Sequence, residues 1–226
     1  DSVGTIECLV AGGEFFFLEM NTRIQVEHTV SEMISGLDLI REQIRVALGE
    51  PLGFTQDQIE FRGHAIEGRI NAEDPSENFR PAPGRITAYR EPGGLGVRVD
   101  SAAYPGSEIT PDYDSMIAKL VVWAGTREEA VARLRRAIDE YTIAGLPTTL
   151  PLLRALCDYA PVADASYGTA TLEDFTAKHF SGASYRVPLL DLVGKTVGSP
   201  VAKRFPPRLA KRNLAAGAAA SGNSVI

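Results

Sequence analysis

Five polar side chains that could do chemistry together fall in one ten-residue run, EMNTRIQVEH at 19–28. Glu19, Asn21, Arg23, Gln25 and Glu27 alternate there with Met20, Thr22, Ile24 and Val26. In an extended chain successive side chains point to opposite faces, so one face would carry all five polar groups. The set combines oxygen ligands for a hard cation, a guanidinium fork for an anion and a carboxylate that could serve as a base. A half-buried antiparallel strand with its polar face in water shows the same alternation. The residue types, more than the period, weigh against that reading, since a solvated strand face usually carries Lys, Thr or Ser.

A sixth group, Glu7, lies in the preceding β-rich run, Thr5–Val10, which is separated from Phe15–Asn21 by the hairpin signal Ala11-Gly12-Gly13-Glu14. Register decides whether Glu7 and Glu19 can share a ligand. A regular two-residue loop sets Glu7 opposite Leu18 and sends the two acids to opposite sides. A three-residue loop pairs Glu7 with Phe17 and brings Glu7, Glu19 and Asn21 to one face. Sequence physics leaves both open, and the shared oxygen chemistry favours an odd-length loop with a Mg²⁺-type site.

The elements that must position these groups follow from pattern. Thr29-Val30-Ser31-Glu32 reads as a capping box with Thr29 as N-cap. Met33, Leu37, Ile40, Ile44 and Leu48 then predict one helix that Gly49 stops. Residues 50–60 form a Pro- and Gly-containing connection. Short strands follow at Gly63–Ile70, Gly84–Arg90, Val97–Asp100 and Ser115–Trp123, separated by turns such as Pro81-Ala82-Pro83-Gly84 and Pro92-Gly93-Gly94. Thr126 and Glu129 open a second amphipathic helix, and further helices are expected over about Leu150–Tyr159 and Thr171–Phe180. The fold class is α+β.

The sequence has 226 residues, 44% hydrophobic and 23% charged, which suits a soluble globular protein. No apolar run approaches a membrane span, and residues 1–20 do not read as a signal peptide. Cys8 and Cys157 are the only cysteines. They suggest neither a disulfide framework nor a zinc site, so a cytoplasmic location is the default. The net charge of −6 conceals a basic stretch after residue 190 with Lys195, Lys203, Arg204, Arg208, Lys211 and Arg212 against Asp191. Its Pro, Ala, Gly and Ser content predicts a disordered linker, without the aromatic interleaving of a nucleic-acid binder or the period of a membrane helix. His28 and His64, unpaired at metal spacing, read as structural.

FFFLEMNTRIQVEH, GHAIEGRINAEDP at 63–75, PAPGRITAYREPGGLGVRVD at 81–100 and YDSMIAKLVVW at 113–123 together resemble the biotin carboxylase family of ATP-grasp enzymes. The likeness covers roughly residues 3–180 and is greatest to the biotinylated α subunits of bacterial acyl-CoA carboxylases. It implies that residues 1–60 are the end of an ATP-grasp domain and 61–182 a biotin carboxylase C-terminal domain. Residues 183–226 would then be a linker toward a biotin carrier domain.

The resemblance also implies roles. Glu7, Glu19 and Asn21 match metal-binding positions that carry Mg²⁺ or Mn²⁺ bridging ATP phosphates. Arg23, Gln25 and the Val26 backbone match a bicarbonate site. Glu27 matches the base that deprotonates bicarbonate, and Arg69 the cation that steadies the biotin enolate. The expected cofactors are ATP, the divalent metal and carrier-borne biotin. The expected partners are a second copy, a biotin carrier domain and a carboxyltransferase subunit, with no nucleic acid or membrane. A non-catalytic assembly module and another kind of ATP-grasp ligase are the alternatives. Two departures stand out: Thr29 follows His28 where the family usually has Pro, and Thr149 stands in a stretch where the family often has Asn one residue after a Thr. The Gly-rich phosphate loop of an ATP-grasp domain and the Ala-Met-Lys-Met biotin-attachment signature do not occur in these residues.

Overall fold

The computed structural model describes residues 2–180. The expected linker lies outside the described residues. The chain opens with a lone hairpin, β1 (Thr5–Ala11) and β2 (Glu14–Asn21), followed by α1 (His28–Ser35) and α2 (Leu39–Ala47). After a connection come β3 (His64–Asn71), β4 (Ala88–Arg90), β5 (Val97–Ser101) and β6 (Met116–Ala124). Then follow α3 (Arg127–Glu140), β7 (Thr142–Ala144), α4 (Leu150–Leu156), α5 (Ala160–Ala163) and α6 (Thr171–Lys178). This is the expected α+β class, here an antiparallel sheet with packed helices.

β6 lies between β3 and β5 in a three-stranded antiparallel sheet. Alternation sorts its two faces. Ile66 and Ile70 of β3, Ala118, Leu120 and Val122 of β6, and Val97 and Val99 of β5 join Val131, Leu134, Ala137 and Ile138 of α3 in the main core. Leu120, Val122, Ala137 and Ile138 are fully buried. Truncating a large side chain of this kind to Ala typically costs about 2–5 kcal/mol, so this face holds the domain together. The opposite face carries Glu67, Arg69, Lys119, Arg98 and Asp100, and α1 packs over it against β3 and β6.

Three local expectations need correction. The hairpin loop is not odd: Gly12 and Gly13, at φ 61° and 84°, make a two-residue turn of the kind that matches strand twist. Instead, Leu18 is a bulge, so the register jumps between Glu7 opposite Glu19 and Cys8 opposite Phe17. The single helix over 30–48 is broken. Gly36, at φ 74°, closes α1 by donating its N–H to the Glu32 carbonyl (2.8 Å), and Asp38 accepts from the Arg41 N–H (2.8 Å) to start α2. Nor does Thr29 cap α1: it lies inside the helix, fully buried, and its hydroxyl donates to Glu67. Thr126 does cap α3, accepting from the Glu129 N–H at 3.2 Å.

Candidate active site

Two clusters of polar side chains lie along the chain between β1 and β3. The first is on the hairpin. Because Glu7 and Glu19 are direct cross-strand partners, their carboxylates share a face, and Asn21, two residues after Glu19, joins them. Like charges opposite one another are unfavourable. The Asn21 amide relieves this by donating from Nδ2 to Glu7 Oε1 (2.9 Å) and Glu19 Oε1 (3.0 Å), and Gln25 Nε2 also donates to Glu7 Oε1. Amide nitrogens thus sit where a cation would. A half-turn of the Asn21 amide presents its oxygen instead, giving three hard oxygen donors of the kind that Mg²⁺ or Mn²⁺ takes alongside phosphates and water. Among the described residues no group of three His, Cys, Asp or Glu could hold a metal unaided. The donor set therefore fits a divalent ion that brings further ligands with it.

The strand ends at Asn21, and residues 22–27 run irregularly into α1. The alternation at 19–28 is therefore half strand and half loop. Arg23 is exposed, and its Nη1 donates to the Ile24 carbonyl at 3.2 Å. The Gln25 carbonyl accepts from the His28 backbone N–H (3.3 Å) and lies 2.7 Å from His28 Nδ1, so His28 serves its own turn, as read from the sequence. His64 is exposed at the start of β3.

The second cluster joins this loop to the sheet. Glu27 Oε2 accepts from Arg69 Nη2 at 2.9 Å, both side chains about half exposed. Arg69 Nε also lies 3.6 Å from Glu67 Oε1, whose side chain is only 7% exposed and whose other oxygen takes the Thr29 hydroxyl. One residue earlier, the Val26 carbonyl accepts from Lys119 Nζ at 3.0 Å. A charged row continues to β5, where Arg98 grips Asp100 with two bonds (2.7 and 2.8 Å) and reaches Glu32 on α1 at 2.6 Å. Those Arg98 bonds, helped by Lys119, hold the Asp100 carboxyl below its ordinary range, and Asp100 in turn raises the Arg98 guanidinium above its own.

The structure thus gathers Glu7, Glu19, Asn21 and Gln25 in one cluster and Glu27 with Arg69 in the other, while Arg23 lies exposed on the loop between. Sequence reading missed Glu67, Lys119, Asp100 and Arg98. Their signal was present in AIEGRI and VRVD, where charged residues occupy every second place, and in IAKLV, where a lone Lys interrupts an apolar strand.

Residues 67–174 match the biotin carboxylase C-terminal domain, and residues 1–55 match the carbamoyl-phosphate synthase L chain ATP binding domain. The chain belongs to the biotin carboxylase family. Biotin carboxylase 1 of Bacillus subtilis is 53% identical over 174 residues, 76% of this chain and 39% of that protein. The biotin carboxylase of Nostoc is 60% identical over 148 residues, 65% of this chain and 33% of that protein. The biotin carboxylase domain dimer of Hydrogenobacter thermophilus 2-oxoglutarate carboxylase was solved with MgADP, ADP and bicarbonate. It superposes with a TM-score of 0.76 at 50% identity, over 77% of this chain and 39% of that one. The chain therefore spans about a third of the length of the curated relatives it matches. Among the described residues no helix is long and apolar enough to cross a membrane.

Proposed function

We propose that this chain supplies the bicarbonate- and biotin-handling side of a biotin carboxylase component, which carboxylates carrier-borne biotin at the expense of ATP. Residues 1–60 would belong to the ATP-grasp lobe and 61–182 to the C-terminal domain. The ion pair between Glu27 and Arg69, which joins the two, is the observation that carries the reading. In this reaction ATP, bicarbonate and biotin are all substrates. A divalent ion held by Glu7, Glu19 and Asn21 would neutralise charge on the ATP phosphates.

Arg23, Gln25 and the Val26 backbone would hold bicarbonate, whose planar shape suits a guanidinium fork. Glu27 removes the bicarbonate proton, so that an oxygen can attack the γ-phosphorus, break its bond to the bridging oxygen and form carboxyphosphate as ADP leaves. On taking that proton Glu27 becomes neutral and its attraction for Arg69 falls. Carboxyphosphate then splits to CO2 and phosphate, and the phosphate takes the N1′ proton of biotin. Arg69 Nη2 is free to hold the negative charge left on the ureido oxygen, as a preorganised oxyanion donor would, while Glu67 keeps the guanidinium in place.

The finer assignment is to an acyl-CoA carboxylase of the cytoplasm, working as a homodimer with a biotin carrier domain and a separate carboxyltransferase. The basic, Ala- and Gly-rich stretch after residue 190, which reads as a linker toward a carrier, supports it. So does the dimeric Hydrogenobacter relative for the assembly. Relatives named for pyruvate and 2-oxoglutarate make 2-oxo acids the competing acceptors. The test uses the full-length protein with its partners. ADP release should depend on bicarbonate and fall in Glu27→Gln, and label from bicarbonate should reach acetyl- or propionyl-CoA. Release indifferent to bicarbonate, or undiminished in Glu27→Gln, would reject the mechanism; label reaching only a 2-oxo acid would reject the subtype.

A further inference from the structure

We infer that Lys119 is a positioning residue for the loop 22–27, an inference that rests on reading that loop as the bicarbonate site. Lys119 sits mid-strand in β6, with a side chain only 12% exposed. A Lys so nearly buried is uncommon unless something offsets the loss of water. Its ammonium donates to the Val26 carbonyl at 3.0 Å and lies 3.6 Å from Asp100. Asp100 is itself fixed by both arms of Arg98, and Arg98 is anchored to Glu32, whose second oxygen accepts the Leu39 N–H at 2.7 Å. The ammonium is therefore braced from β5 and, through Arg98, from the start of α2.

The cross-strand partner of Lys119 is Arg69. Two cations directly opposite one another on a sheet repel. What lies over them is the loop: a peptide carbonyl, Val26, on Lys119 and a carboxylate, Glu27, on Arg69. Adjacent cations thus grip consecutive loop residues, and the two grips differ in chemistry. The Glu27–Arg69 contact weakens once Glu27 accepts a proton. The Lys119–Val26 contact involves no group that changes charge in the reaction, so it keeps the loop in register while Glu27 and Arg69 let go of each other. A reacting group displaced by about 1 Å can lose on the order of 10²-fold in rate, so a tether one residue from the base has leverage without touching substrate.

The test measures bicarbonate-dependent ATP cleavage by the full-length protein, with bicarbonate and ATP varied separately. Lys119→Met keeps the stem and removes the donor, and should lower kcat/KM for bicarbonate about 10- to 100-fold while KM for ATP stays within about twofold. Lys119→Arg, which can still donate to Val26, should recover most of the loss. Asp100→Asn, which weakens the brace and the Arg98 clamp but leaves the Lys119 donor in place, should shift the same parameter in the same direction by less. Bicarbonate kinetics in Lys119→Met like those of wild type would overturn the inference. So would parallel rises in both KM values with no rescue by Arg, because those mark a general packing defect. If thermal melts show Lys119→Met unfolded, the other two variants decide, and wild-type bicarbonate kinetics in Asp100→Asn would overturn it. Wild-type protein whose ATP cleavage ignores bicarbonate would instead sink the underlying reading of the loop.

Discussion

Removing the Arg69 guanidinium should separate stability from chemistry, because its contacts are structurally weak while the proposed function gives it a central chemical role. Its pair with Glu27 joins side chains that are 49% and 51% exposed. Such surface-type pairs contribute about 0–1 kcal/mol. The contact with Glu67 is longer, 3.6 Å, but leaves a carboxylate that is 7% exposed. That carboxylate keeps the Thr29 hydroxyl, so its loss is partial. Arg69→Ala should therefore destabilise the fold by about 1–2 kcal/mol, which for a domain of this size is a melting shift of about 2–8 °C. Turnover of biotin should fall far more, on the order of 10²–10³, the usual consequence of deleting one preorganised donor. Arg69→Lys keeps a charge but not the fork that spans Glu27 and Glu67, and should fall between. The assay is steady-state carboxylation of free biotin by the full-length protein at 25 °C, beside a calorimetric melt. Near wild-type biotin turnover in Arg69→Ala would refute the assigned role. So would a melting point so low that the loss of rate merely follows unfolding.

Arg23→Ala should raise KM for bicarbonate with little change in melting temperature, since Arg23 is exposed and bonds only the neighbouring Ile24 carbonyl among the contacts described; an unchanged bicarbonate KM counts against the anion-fork reading. The 226-residue chain made alone should show no bicarbonate-dependent ATP cleavage, because the hairpin bearing Glu7 and Glu19 is a lone two-stranded sheet whose Phe15 and Phe17 are 77% and 68% exposed; sustained bicarbonate-dependent cleavage by that piece refutes this. A disulfide-exchange reagent at pH 8 should titrate exposed Cys8 at once and Cys157 only after unfolding, since burial pushes the Cys157 thiol up to about 11. The stability that Cys157 gains from staying neutral is whole below its ordinary value of 9.0 and disappears as pH rises through the folded value; two fast thiols would contradict the burial. Asp100 has the opposite sign. Its depressed carboxyl contributes stability above its ordinary value of 3.8, lost as pH falls through the lower folded value. The melting difference between wild type and Asp100→Asn should therefore be flat near neutrality and shrink in acid, and a difference that grows in acid would reject the Arg98 clamp.

The parts of this site that sequence reveals are those whose information is local, and the parts it hides depend on distant residues. The signals for the strand pair, for Thr126 as a cap and for the apolar face of α3 each lie within a few consecutive residues. The hairpin register does not, because Phe15-Phe16-Phe17-Leu18 is apolar throughout and has no alternation to say which face is inside. The bulge at Leu18 brings Glu7 opposite Glu19 without a longer loop. Thr29 misleads for a related reason. Its spacing to Glu32 satisfies the capping pattern, yet each side chain has a partner elsewhere: Glu67 takes the hydroxyl, while Arg98 and the Leu39 N–H take the carboxylate. The apolar repeat from Met33 to Leu48 likewise masks Gly36 and Asp38, which are ordinary stop and start signals when read for themselves. The alternation at 19–28 is the most instructive case. It suggests one continuous polar face, but only Glu19 and Asn21 remain on the strand. The groups from Arg23 to Glu27 leave the ladder, and Val26 and Glu27 are held instead by Lys119 and Arg69. Those partners stand directly opposite each other on β6 and β3, and nothing within the run from 19 to 28 encodes that pairing. The motif suggests a chemistry; the charged face of the sheet beneath it holds the loop that would carry it.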